Sequence, residues 1–464
     1  MNRILNFVPP LIAMAITFFL IGVGAAHYNF PPYPQILAAK RTFEVVILGR
    51  DGGSVGIPEL IAWDGGDEGL GDRWTDFGRD GERPPILVNG GPARFTESCG
   101  PQGCAAVVFD GEGNIERSWP YRPLEILEAD LVHDSLPHEA PTFDPMRNMR
   151  IIGAQPYGEE DLWLTMQTLG AVFPFGLGIA RIGPDGTPRW SRIDFAHHWS
   201  TVLPNGDVLT PGAQIRDEPV VVRQGEGHGA VAKRLICPEG KTYYDTIDVM
   251  SGDGEVKASF DLMEAFLTSN WSGVVQATVD ACDPLHLNYI HVIGPNPPAG
   301  ANTGDWIVSL RNISRIAIVD HKTGALKSVV GGSFVRQHAA THLEGAEFVV
   351  FDNLGADAVN TASRILAINV ETGAERVIFP REDTPEEFKN LFTERAGHID
   401  ISPDGERMLL SYTYAGVGLE IDVETGAVLS SIQNLHDLSG LDDLPSDAGS
   451  GIGRFQLHEM AYVR

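Results

Sequence analysis

The stretch that decides the fold is residues 316–329, IAIVDHKTGALKSV, in which an apolar run enters an acidic turn at Gly324 and a second run leaves it. Apolar runs on both sides of such a turn are typical of a β-hairpin. The pattern occurs six times, at residues 107–119, 179–190, 247–260, 316–329, 365–379 and 419–432. The turn glycines are Gly113, Gly186, Gly254, Gly324, Gly373 and Gly426, with spacings of 73, 68, 70, 49 and 53 residues. Each unit is long enough for four short strands, so the repeat predicts an all-β fold, a six-bladed β-propeller.

Composition agrees with this fold and limits the partners. The chain has 464 residues, and its 52 glycines and 31 prolines favour many tight turns over long helices. The 34 Lys and Arg against 62 Asp and Glu give a net charge of −28, which argues against binding to nucleic acid or anionic lipid headgroups. An anionic substrate would therefore need a local cluster of cationic groups inside a negatively charged shell.

The N-terminal segment predicts export. Residues 11–26 (LIAMAITFFLIGVGAA) are an apolar run of 16 residues, longer than most signal-peptide cores and shorter than the roughly 20 residues of a membrane-spanning helix. We expect an uncleaved signal anchor, because residues 35–48 after Pro34 are typical of a juxtamembrane helix; a cleaved signal peptide and a buried soluble helix are the alternatives. The predicted domains are the anchor and juxtamembrane helix at 1–50, a short β-rich lead-in at 51–104 and the propeller at 105–464. The predicted location is periplasmic or otherwise extracytoplasmic, with a tether to the inner membrane.

The four cysteines fit an oxidising compartment. Cys99 and Cys104 flank the turn-forming segment GPQG, so we expect them to close a small disulfide loop. For Cys237 and Cys282 two outcomes stay open, a pair across the fold or two free thiols. The sequence has no CxxC motif and no Cys/His zinc spacing.

Polar residues beside the predicted strands of residues 283–353 indicate a site. The motifs are DPLHLN at 283–288, SLRN at 309–312, QH at 337–338 and FDN at 351–353. His198, His338 and His398 each follow a hairpin glycine and precede the strand that leads into the next turn. Because equivalent blade positions lie at equivalent radii, we expect histidines at the start of innermost strands to converge on the central channel.

These motifs, in this order, resemble those of the bacterial arylsulfate sulfotransferases. The resemblance covers roughly residues 130–435 and includes HHWSTVLPNGDVL around His198 and Ser363-Arg364 after the FDN motif. It implies a six-bladed propeller, a periplasmic location and transfer of a sulfuryl group from one phenol to another without phosphoadenosine phosphosulfate. In that family a histidine takes the sulfuryl group covalently, and no cofactor or metal is implied.

Matching motif to motif, the resemblance implies that His338 is the nucleophile and becomes a sulfohistidine. His286 and Arg311 would hold the sulfonate oxygens, and His198 would act as acid or base or stabilise the leaving group. Sequence order does not fix which imidazole faces the sulfur, so the histidine roles are exchangeable at this stage. Asn288, two residues after His286, would share its face of a strand and orient it. The substrate-binding candidates are Asn288, Asn312, Asn353 and His398.

The chemistry of sulfuryl transfer suits these residue types. Like phosphoryl transfer, it should pass through a loose, in-line transition state with charge on the equatorial oxygens and the leaving group. Neutral imidazole is a nucleophile near pH 7, because its reference pKa is about 6.5. An Arg supplies fixed positive charge with forked donors, and a second, protonated histidine can give a proton to the departing phenolate.

Two functions of other classes remain alternatives. A metal-binding or ligand-binding propeller without catalysis would use the clustered imidazoles, which suit Zn or Cu, although the charge of Arg311 disfavours a metal ion beside it. A propeller that only presents a face to partner proteins predicts no loss of phenotype on His338→Asn. The predicted partners are small aryl sulfates and phenols, together with the membrane through the N-terminal helix. A homodimer stays open, because the anchor and a short segment replace the larger N-terminal β-domain that is linked to dimerisation in the family.

Overall fold

The structure is a computed structural model that describes residues 59–64, 74–77, 83–91, 99, 103–127, 149–168, 176–224, 231–238, 240–355, 362–437 and 452–464. The predicted signal anchor at residues 11–26 and the predicted juxtamembrane helix at 35–48 lie outside these ranges. Within the described ranges, no helix has the length and apolar character that crossing a bilayer requires.

Six antiparallel sheets form the blades of a β-propeller. Five of them have four strands, and the sixth has four strands and one additional edge strand. With strands numbered in chain order, blade 1 contains β3 (Ile86–Asn89), β4 (Cys104–Phe109), β5 (Ile115–Pro120) and β30 (Glu459–Tyr462), and blade 2 contains β6 (Met149–Tyr157), β7 (Asp161–Thr168), β8 (Gly176–Ile182) and β9 (Pro188–Ile193). Blade 3 contains β10 (Thr201–Val202), β11 (Val208–Arg216), β14 (Thr242–Met250) and β15 (Val256–Asp261), and blade 4 contains β16 (Leu287–Val292), β17 (Trp306–Leu310), β18 (Arg315–Val319) and β19 (Leu326–Val330). Blade 5 contains β20 (His338–Glu344), β21 (Glu347–Asp352), β22 (Arg364–Asn369) and β23 (Glu375–Phe379), and blade 6 contains β24 (His398–Ile401), β25 (Arg407–Tyr412), β26 (Val417–Asp422) and β27 (Val428–Gln433).

The remaining elements are short. The other strands are β1 (Leu60–Asp64), β2 (Trp74–Asp76), β12 (Val220–Gln224), β13 (Val231–Leu235), β28 (Leu435–Asp437) and β29 (Ile452–Phe455). The α-helices are α1 (Pro123–Ile126), α2 (Leu262–Leu267) and α3 (Glu386–Lys389), and 3₁₀ turns occur at Ser272–Ala277, Arg311–Ile313 and Thr413–Ala415. The described part of the chain is therefore built almost wholly from strands and turns.

The glycine repeat forms the turn between the two outer strands of every blade. These are the hairpins β4–β5, β8–β9, β14–β15, β18–β19, β22–β23 and β26–β27. Each turn glycine has a φ between 71° and 85°, a left-handed conformation that other residues adopt only with strain. Gly186 also has no room for a side chain, since an added Cβ would lie 2.2 Å from the carbonyl oxygen of Pro120 in blade 1. The prediction of an all-β, six-bladed propeller is confirmed.

Apolar side chains fill the space between consecutive blades. Among the described residues, six clusters of buried hydrophobic side chains correspond to the six interfaces around the ring. Between blades 5 and 6, for example, Phe351 belongs to the same cluster as Leu410 and Leu419, and all three are fully buried. Each such side chain contributes about 1.5–3 kcal/mol of hydrophobic stabilisation. The interfaces thereby hold the inner strands, and the residues at their ends, in fixed positions.

Strands from widely separated parts of the chain close the ring. β30 pairs antiparallel with β3, with Tyr462 opposite Ile86, and so becomes the innermost strand of blade 1. Two residues later, Arg464 forms an ion pair of 2.7 Å with Asp400 in blade 6. Blade 1 is therefore complete only when both parts of the chain are present.

Part of the predicted lead-in segment belongs to the propeller. Residues 51–104 are predicted from the sequence to form a separate segment, but β3 is the second strand of blade 1 and β2 extends blade 6 beside β27. β1 pairs with β29 in a small sheet of three strands. Strands of three to five residues are marginal alone and gain stability from a larger sheet. The propeller therefore begins before residue 105.

Two disulfides are present, and within the described residues no cysteine is free. Cys99 and Cys104 form the predicted local bridge, with their Cα atoms 5.2 Å apart. Cys237 and Cys282, which the sequence left open, also pair, with a Cα–Cα distance of 4.5 Å. The second bridge joins the β12–β13 hairpin to the loop that leads into β16. This loop carries Asp283 and His286, two residues of the site described below.

Candidate active site

His338 is the first residue of β20, the innermost strand of blade 5, and its side chain is buried. Its Nδ1 lies 2.7 Å from Oδ1 of Asn353. The Asn353 amide group donates to the carbonyl oxygens of Thr393 and Ala396 at 2.9 and 2.8 Å, so its oxygen is the atom that faces His338. His338 must therefore carry its proton on Nδ1. The lone pair is left on Nε2, where the backbone N–H of Ala396 donates at 3.2 Å.

His286 lies on the loop before β16 and forms a pair with a buried carboxyl group. Its Nδ1 is hydrogen-bonded to Oδ2 of Asp283, three residues earlier. Burial, and then the charge of Asp280, raise the pKa of Asp283 to about 7. Near neutral pH the pair therefore holds an additional proton for part of the time. Wherever that proton lies within the pair, Nε2 of His286 is also protonated and can donate a hydrogen bond.

His198 lies on the loop before β10 and is connected to a second carboxyl group through its neighbour. The Nδ1 atoms of His198 and His197 are 2.7 Å apart, and Nε2 of His197 lies 3.5 Å from Oδ1 of Asp245. Asp245 also accepts the backbone N–H of Leu287 at 3.0 Å. A proton on Nε2 of His197, facing Asp245, makes His197 Nδ1 the acceptor and His198 Nδ1 the donor. This tautomer places the lone pair of His198 on Nε2.

The three imidazoles form one cluster although they come from three blades. Nitrogen atoms of His198, His286 and His338 all lie within 4.8 Å of one another. The ring centroid of His198 is 5.0 Å from that of His286 and 5.9 Å from that of His338. Burial, above all, holds the pKa of each imidazole well below its usual value near 6.5. The next cause is the charge of Arg311 for His286 and His338, and the neighbouring imidazole of His197 for His198. The cluster is therefore neutral at physiological pH.

Arg311 supplies a fixed charge beside this neutral cluster. It begins the 3₁₀ turn after β17, and its backbone N–H donates to the carbonyl oxygen of His286 at 3.1 Å. The guanidinium donates to Oδ1 of Asn312 at 3.0 Å, and Asn312 in turn donates to the carbonyl oxygen of Asp283 at 2.6 Å. Burial, and then the charge of Arg336, lower the pKa of Arg311 to about 10, so it stays protonated. This arrangement of neutral imidazoles and one half-buried cation suits an anionic ligand.

The predicted polar residues fall into different positions. Asn353 and Asn312 contact the site residues directly, as described above. Asn288 was expected to orient His286, but its amide group donates to the carbonyl oxygen of Gln337 at 2.8 Å and so fixes the start of β20. The reason is a bulge between Leu287 and Tyr289, which breaks the two-residue periodicity that the expectation assumed.

His398 does not join the cluster, although it occupies the same strand position as His338. Its Nδ1 lies 3.2 Å from the carbonyl oxygen of Met460, and its ring packs 5.2 Å from that of Trp199 and 5.5 Å from that of Tyr289. Trp199 also packs beside His338, with centroids 6.4 Å apart. Two aromatic rings thus surround His398, and the structure gives no support to its predicted role in substrate binding.

The backbone at the cluster is strained. His198 and His286 have φ values of 60° and 57°, in the left-handed region that non-glycine residues rarely adopt. Three residues next to the site, Arg336, Ala339 and Ala396, have φ values of 54°, 50° and 56°. Each such residue costs on the order of 1–3 kcal/mol and persists only where the surrounding packing imposes it. Strain concentrated in this way is common at functional sites.

A metal ion is the other ligand that three imidazoles could hold. Nitrogen atoms of the three imidazoles all lie within 4.8 Å of one another, close enough to converge on one ion, but a ring nitrogen can bind a metal only through a free lone pair. Both nitrogens of His338 also have protein partners, Asn353 and the N–H of Ala396. Arg311 adds a positive charge beside the site. The donor set therefore fits an anion better than a cation.

Sequence reasoning missed several residues of this site. Asp283 had a usable signal, because it lies three residues before His286 in the DPLH motif. Trp199 and Arg336 also had one, because they lie one and two residues from His198 and His338. Asp245 and Arg395 had none, since their closeness to the cluster depends on how the blades assemble.

Comparison with known proteins adds two kinds of result. Solved structures with low overall similarity include a protein of unknown function from Bacteroides caccae (11% identity, TM-score 0.44, covering 82% of this chain and 100% of that one). They also include a putative 6-phosphogluconolactonase from Bacteroides fragilis (12%, 0.37, 83% and 99%) and virginiamycin B lyase from Staphylococcus aureus (11%, 0.32, 60% and 83%). At these TM-scores the structures carry no information about the activity of this chain.

The family comparison covers the site itself. No curated protein is significantly similar to the chain. The sequence model of the family described as "Arylsulfotransferase (ASST)" matches residues 184–435, which is more than half of the 464 residues. The matched range includes His198, His286, Arg311 and His338. The chain that carries this imidazole cluster and half-buried arginine in a six-bladed propeller therefore belongs to the arylsulfotransferase family.

Proposed function

We propose that this protein is an aryl-sulfate sulfotransferase that moves a sulfuryl group from a phenolic sulfate ester to a phenolic acceptor, independently of phosphoadenosine phosphosulfate. The group would be carried on His338 as a sulfohistidine. The observation that carries the proposal is the hydrogen bond between Nδ1 of His338 and Asn353, which leaves Nε2 as the nucleophilic nitrogen beside the charge of Arg311. Neutrality of His338 at physiological pH supports the same role.

In the first half-reaction, Nε2 of His338 attacks the sulfur atom of the donor. The Nε2–S bond forms while the bond between sulfur and the aryl oxygen breaks, and its electron pair leaves on the phenolate oxygen. Arg311 and Nε2–H of His286 would hold the sulfuryl oxygens as charge shifts toward the leaving group. The N–H of Ala396 must release Nε2 before attack, and it is then placed to donate to a sulfuryl oxygen.

In the second half-reaction, Nε2 of neutral His198 accepts the proton of the acceptor phenol. The phenolate oxygen attacks sulfur, the N–S bond breaks and its electron pair returns to Nε2 of His338. A protonated histidine is predicted from the sequence to act as the acid for the first phenolate. Because the pKa of His198 is lowered, His198 is neutral at the start and acts first as a base. The proton gained by His198 then neutralises the phenolate of a donor in the following turnover.

The location proposed for this activity is periplasmic or extracytoplasmic, with a tether at residues 11–26. Two paired disulfides support an oxidising compartment, because structural disulfides are rare where glutathione keeps thiols reduced. Protease accessibility in spheroplasts, before and after detergent, would test the location and the tether together.

Incubation with 4-nitrophenyl sulfate, with and without a phenol acceptor, followed by intact-protein mass spectrometry tests the transfer reaction. A covalent intermediate adds roughly 80 Da to the wild type and nothing to His338→Asn. His321→Asn is a matched control, because His321 pairs with Asp305 on the outer part of blade 4. Absence of both adduct and released nitrophenol with several donors would refute the enzyme.

Metal binding is the second candidate function, since nitrogens of the three imidazoles lie within 4.8 Å of one another. Elemental analysis of protein purified without chelator distinguishes the two functions. One equivalent of zinc or copper that is lost in His198→Asn would favour the metal site, and metal-free protein with full transfer activity would exclude it.

A further inference from the structure

Three arginines from consecutive blades lie at the end of the propeller that holds the imidazole cluster. Arg311 follows β17 in blade 4, Arg336 lies two residues before β20 in blade 5, and Arg395 lies three residues before β24 in blade 6. These positions are equivalent to one another in that each adjoins a turn at the same end of the inner strands. Only Arg311 belongs to the transfer mechanism proposed above.

The backbone fixes all three arginines close to the imidazoles. The N–H of Arg311 donates to the carbonyl oxygen of His286 at 3.1 Å. The N–H of Arg336 donates to Oγ of Ser314 at 3.1 Å, and Arg336 is two residues from His338. Arg395 is joined directly to Ala396, whose N–H lies 3.2 Å from Nε2 of His338. Each arginine is thus within a few covalent or hydrogen bonds of a site histidine.

The positive charge here is not cancelled by nearby acids. Arg336 and Arg395 both lower the pKa of Arg311, while Asp283 and Glu394 act in the opposite direction. Glu394 is 4.0 Å from Arg395, and both side chains are more than half exposed, so the pair is weak. Asp283 has a pKa of about 7 and is partly protonated at neutral pH. Among the described residues, the Arg336 guanidinium has no hydrogen-bond or ion-pair partner.

Exposed apolar side chains accompany the arginines. Val335, next to Arg336, is 41% exposed, and Phe392, three residues before Arg395, is 44% exposed. Val279 is 61% exposed, and its N–H donates to the carbonyl oxygen of Asn312 beside Arg311. Single exposed apolar residues are common on protein surfaces, and the relevant observation here is that each of these three lies beside one of the three arginines. Together with the cations, they fit a ligand that has an apolar body and more than one anionic group.

We infer that this site takes aromatic donors that carry a second anionic substituent, such as a carboxylate or another sulfate, in addition to the sulfuryl group that is transferred. A sulfate monoester has a single negative charge, which Arg311 alone can balance while His286 donates a hydrogen bond. Arg336 and Arg395 would bind the second anion. The inference rests on the proposed function only for the identity of the group held at Arg311; the preference for two anions follows from the three arginines and is measurable without turnover.

Aryl sulfonates test the inference, because their sulfur is bound directly to carbon and the sulfonate group is therefore not transferred. They report binding without turnover. Calorimetry at fixed ionic strength would compare naphthalene-2-sulfonate with naphthalene-2,6-disulfonate on the whole chain. We expect the disulfonate to bind at least about tenfold more tightly, which corresponds to about 1.4 kcal/mol. In the double variant Arg336→Gln/Arg395→Gln this ratio should fall below about threefold, and Arg336→Lys/Arg395→Lys should restore part of it.

The matched control is Arg376→Gln, which removes an exposed arginine that pairs with Glu347 at 3.0 Å on the outer strands of blade 5. This variant should keep the wild-type ratio. Equal affinities of the two sulfonates for the wild type, or an unchanged ratio in the double glutamine variant, would overturn the inference. Failure of the mass-adduct experiment with a retained preference for the disulfonate would instead reject sulfuryl transfer and leave the dianion site intact.

Discussion

The side-chain oxygen of Asn353 accepts the Nδ1 proton of His338 at 2.7 Å, while both of its N–H groups are bound to carbonyl oxygens of the next blade. The tautomer of the proposed nucleophile is thus fixed by contacts between blades 5 and 6. A rotation of Asn353 would present N–H to N–H and would leave two buried carbonyl groups without these donors. The site depends on the assembled ring for this reason.

Replacing Asn353 by Ala should therefore slow formation of the sulfohistidine. The lost hydrogen bond leaves a buried donor unpaired, which costs about 1–3 kcal/mol, or roughly 5- to 150-fold in rate. Rapid-mixing measurements of nitrophenol release would give the rate. Asn434→Ala is the control, because Asn434 makes a similar bond to the carbonyl oxygen of Gln456 between blades 6 and 1. Equal losses of rate in both variants would mean that Asn353 acts only through stability.

The dependence of kcat/KM on pH should have two limbs. His338 is a nucleophile only when neutral, and its pKa lies well below 6.5, so activity persists through pH 6.5 and is lost as pH falls through that lowered pKa. The proton shared by Asp283 and His286 is present below about pH 7 and is lost above it, which removes a donor to the sulfuryl group. Nitrophenol measured after a quench into base would give the profile. An acid limb centred at or above pH 6.5 would contradict the first assignment, and persistence of the alkaline limb in Asp283→Asn would contradict the second.

His197 is predicted to be a positioning residue for His198. Its contact of 2.7 Å with His198 and its approach to Asp245 leave the lone pair of His198 on Nε2, where a base is needed in the second half-reaction. In His197→Gln, transfer of the sulfuryl label from His338 to a phenol should slow by about tenfold or more. Formation of this label on His338 should slow less. Single-turnover mass spectrometry separates the two steps. Equal slowing of both steps would show a structural effect only.

The two disulfides should differ in their contributions. In the chain-entropy account, the bridge between Cys237 and Cys282, with a separation of 45 residues, stabilises by about 4 kcal/mol, and the bridge between Cys99 and Cys104, with a separation of 5, by about 2 kcal/mol. Because Cys282 directly precedes Asp283, its replacement by Ser together with Cys237→Ser should also lower the rate of label formation. Thermal unfolding and rapid-mixing kinetics would measure both. A full rate in the Cys237→Ser/Cys282→Ser variant at a temperature where it is folded would disconnect the bridge from the site.

Two glycines with similar φ values separate backbone strain from steric overlap. Gly373 has a φ of 73° and no atom within 4 Å of an added Cβ, so Gly373→Ala should cost about 1 kcal/mol. Gly186 has a φ of 79°, but its Cβ would lie 2.2 Å from the carbonyl oxygen of Pro120, and overpacking adds roughly 1–3 kcal/mol. Urea unfolding of the two Ala variants would give the difference. Equal losses of unfolding free energy in the two variants would show that Pro120 in blade 1 moves away from the added Cβ without an energetic penalty.

The sequence predicted the blades because each outer hairpin repeats one local pattern around a left-handed glycine. Equivalent strand ends around one axis also predicted that His198, His338 and His398 would come together, while the family resemblance predicted that His286 would lie with them. The sequence could not predict that His398 would be separated from them, because this depends on the rings of Trp199 and Tyr289, which arrive from other blades. The boundary at residue 105 was wrong because β3 lies between β4 and β30 in blade 1, and β30 is more than 350 residues later in the chain. The histidine roles and the cellular location remain predictions.

The pairing of β30 with β3 has a consequence for how the protein is made. While the polypeptide is being synthesised or exported, blades 2 to 6 can form before residues 459–462 appear. Blade 1 still lacks its innermost strand at that point, so the ring is not closed. Small reactive phenols would meet only an incomplete catalyst during this interval. The proposed activity would therefore begin only after the final strand has joined blade 1.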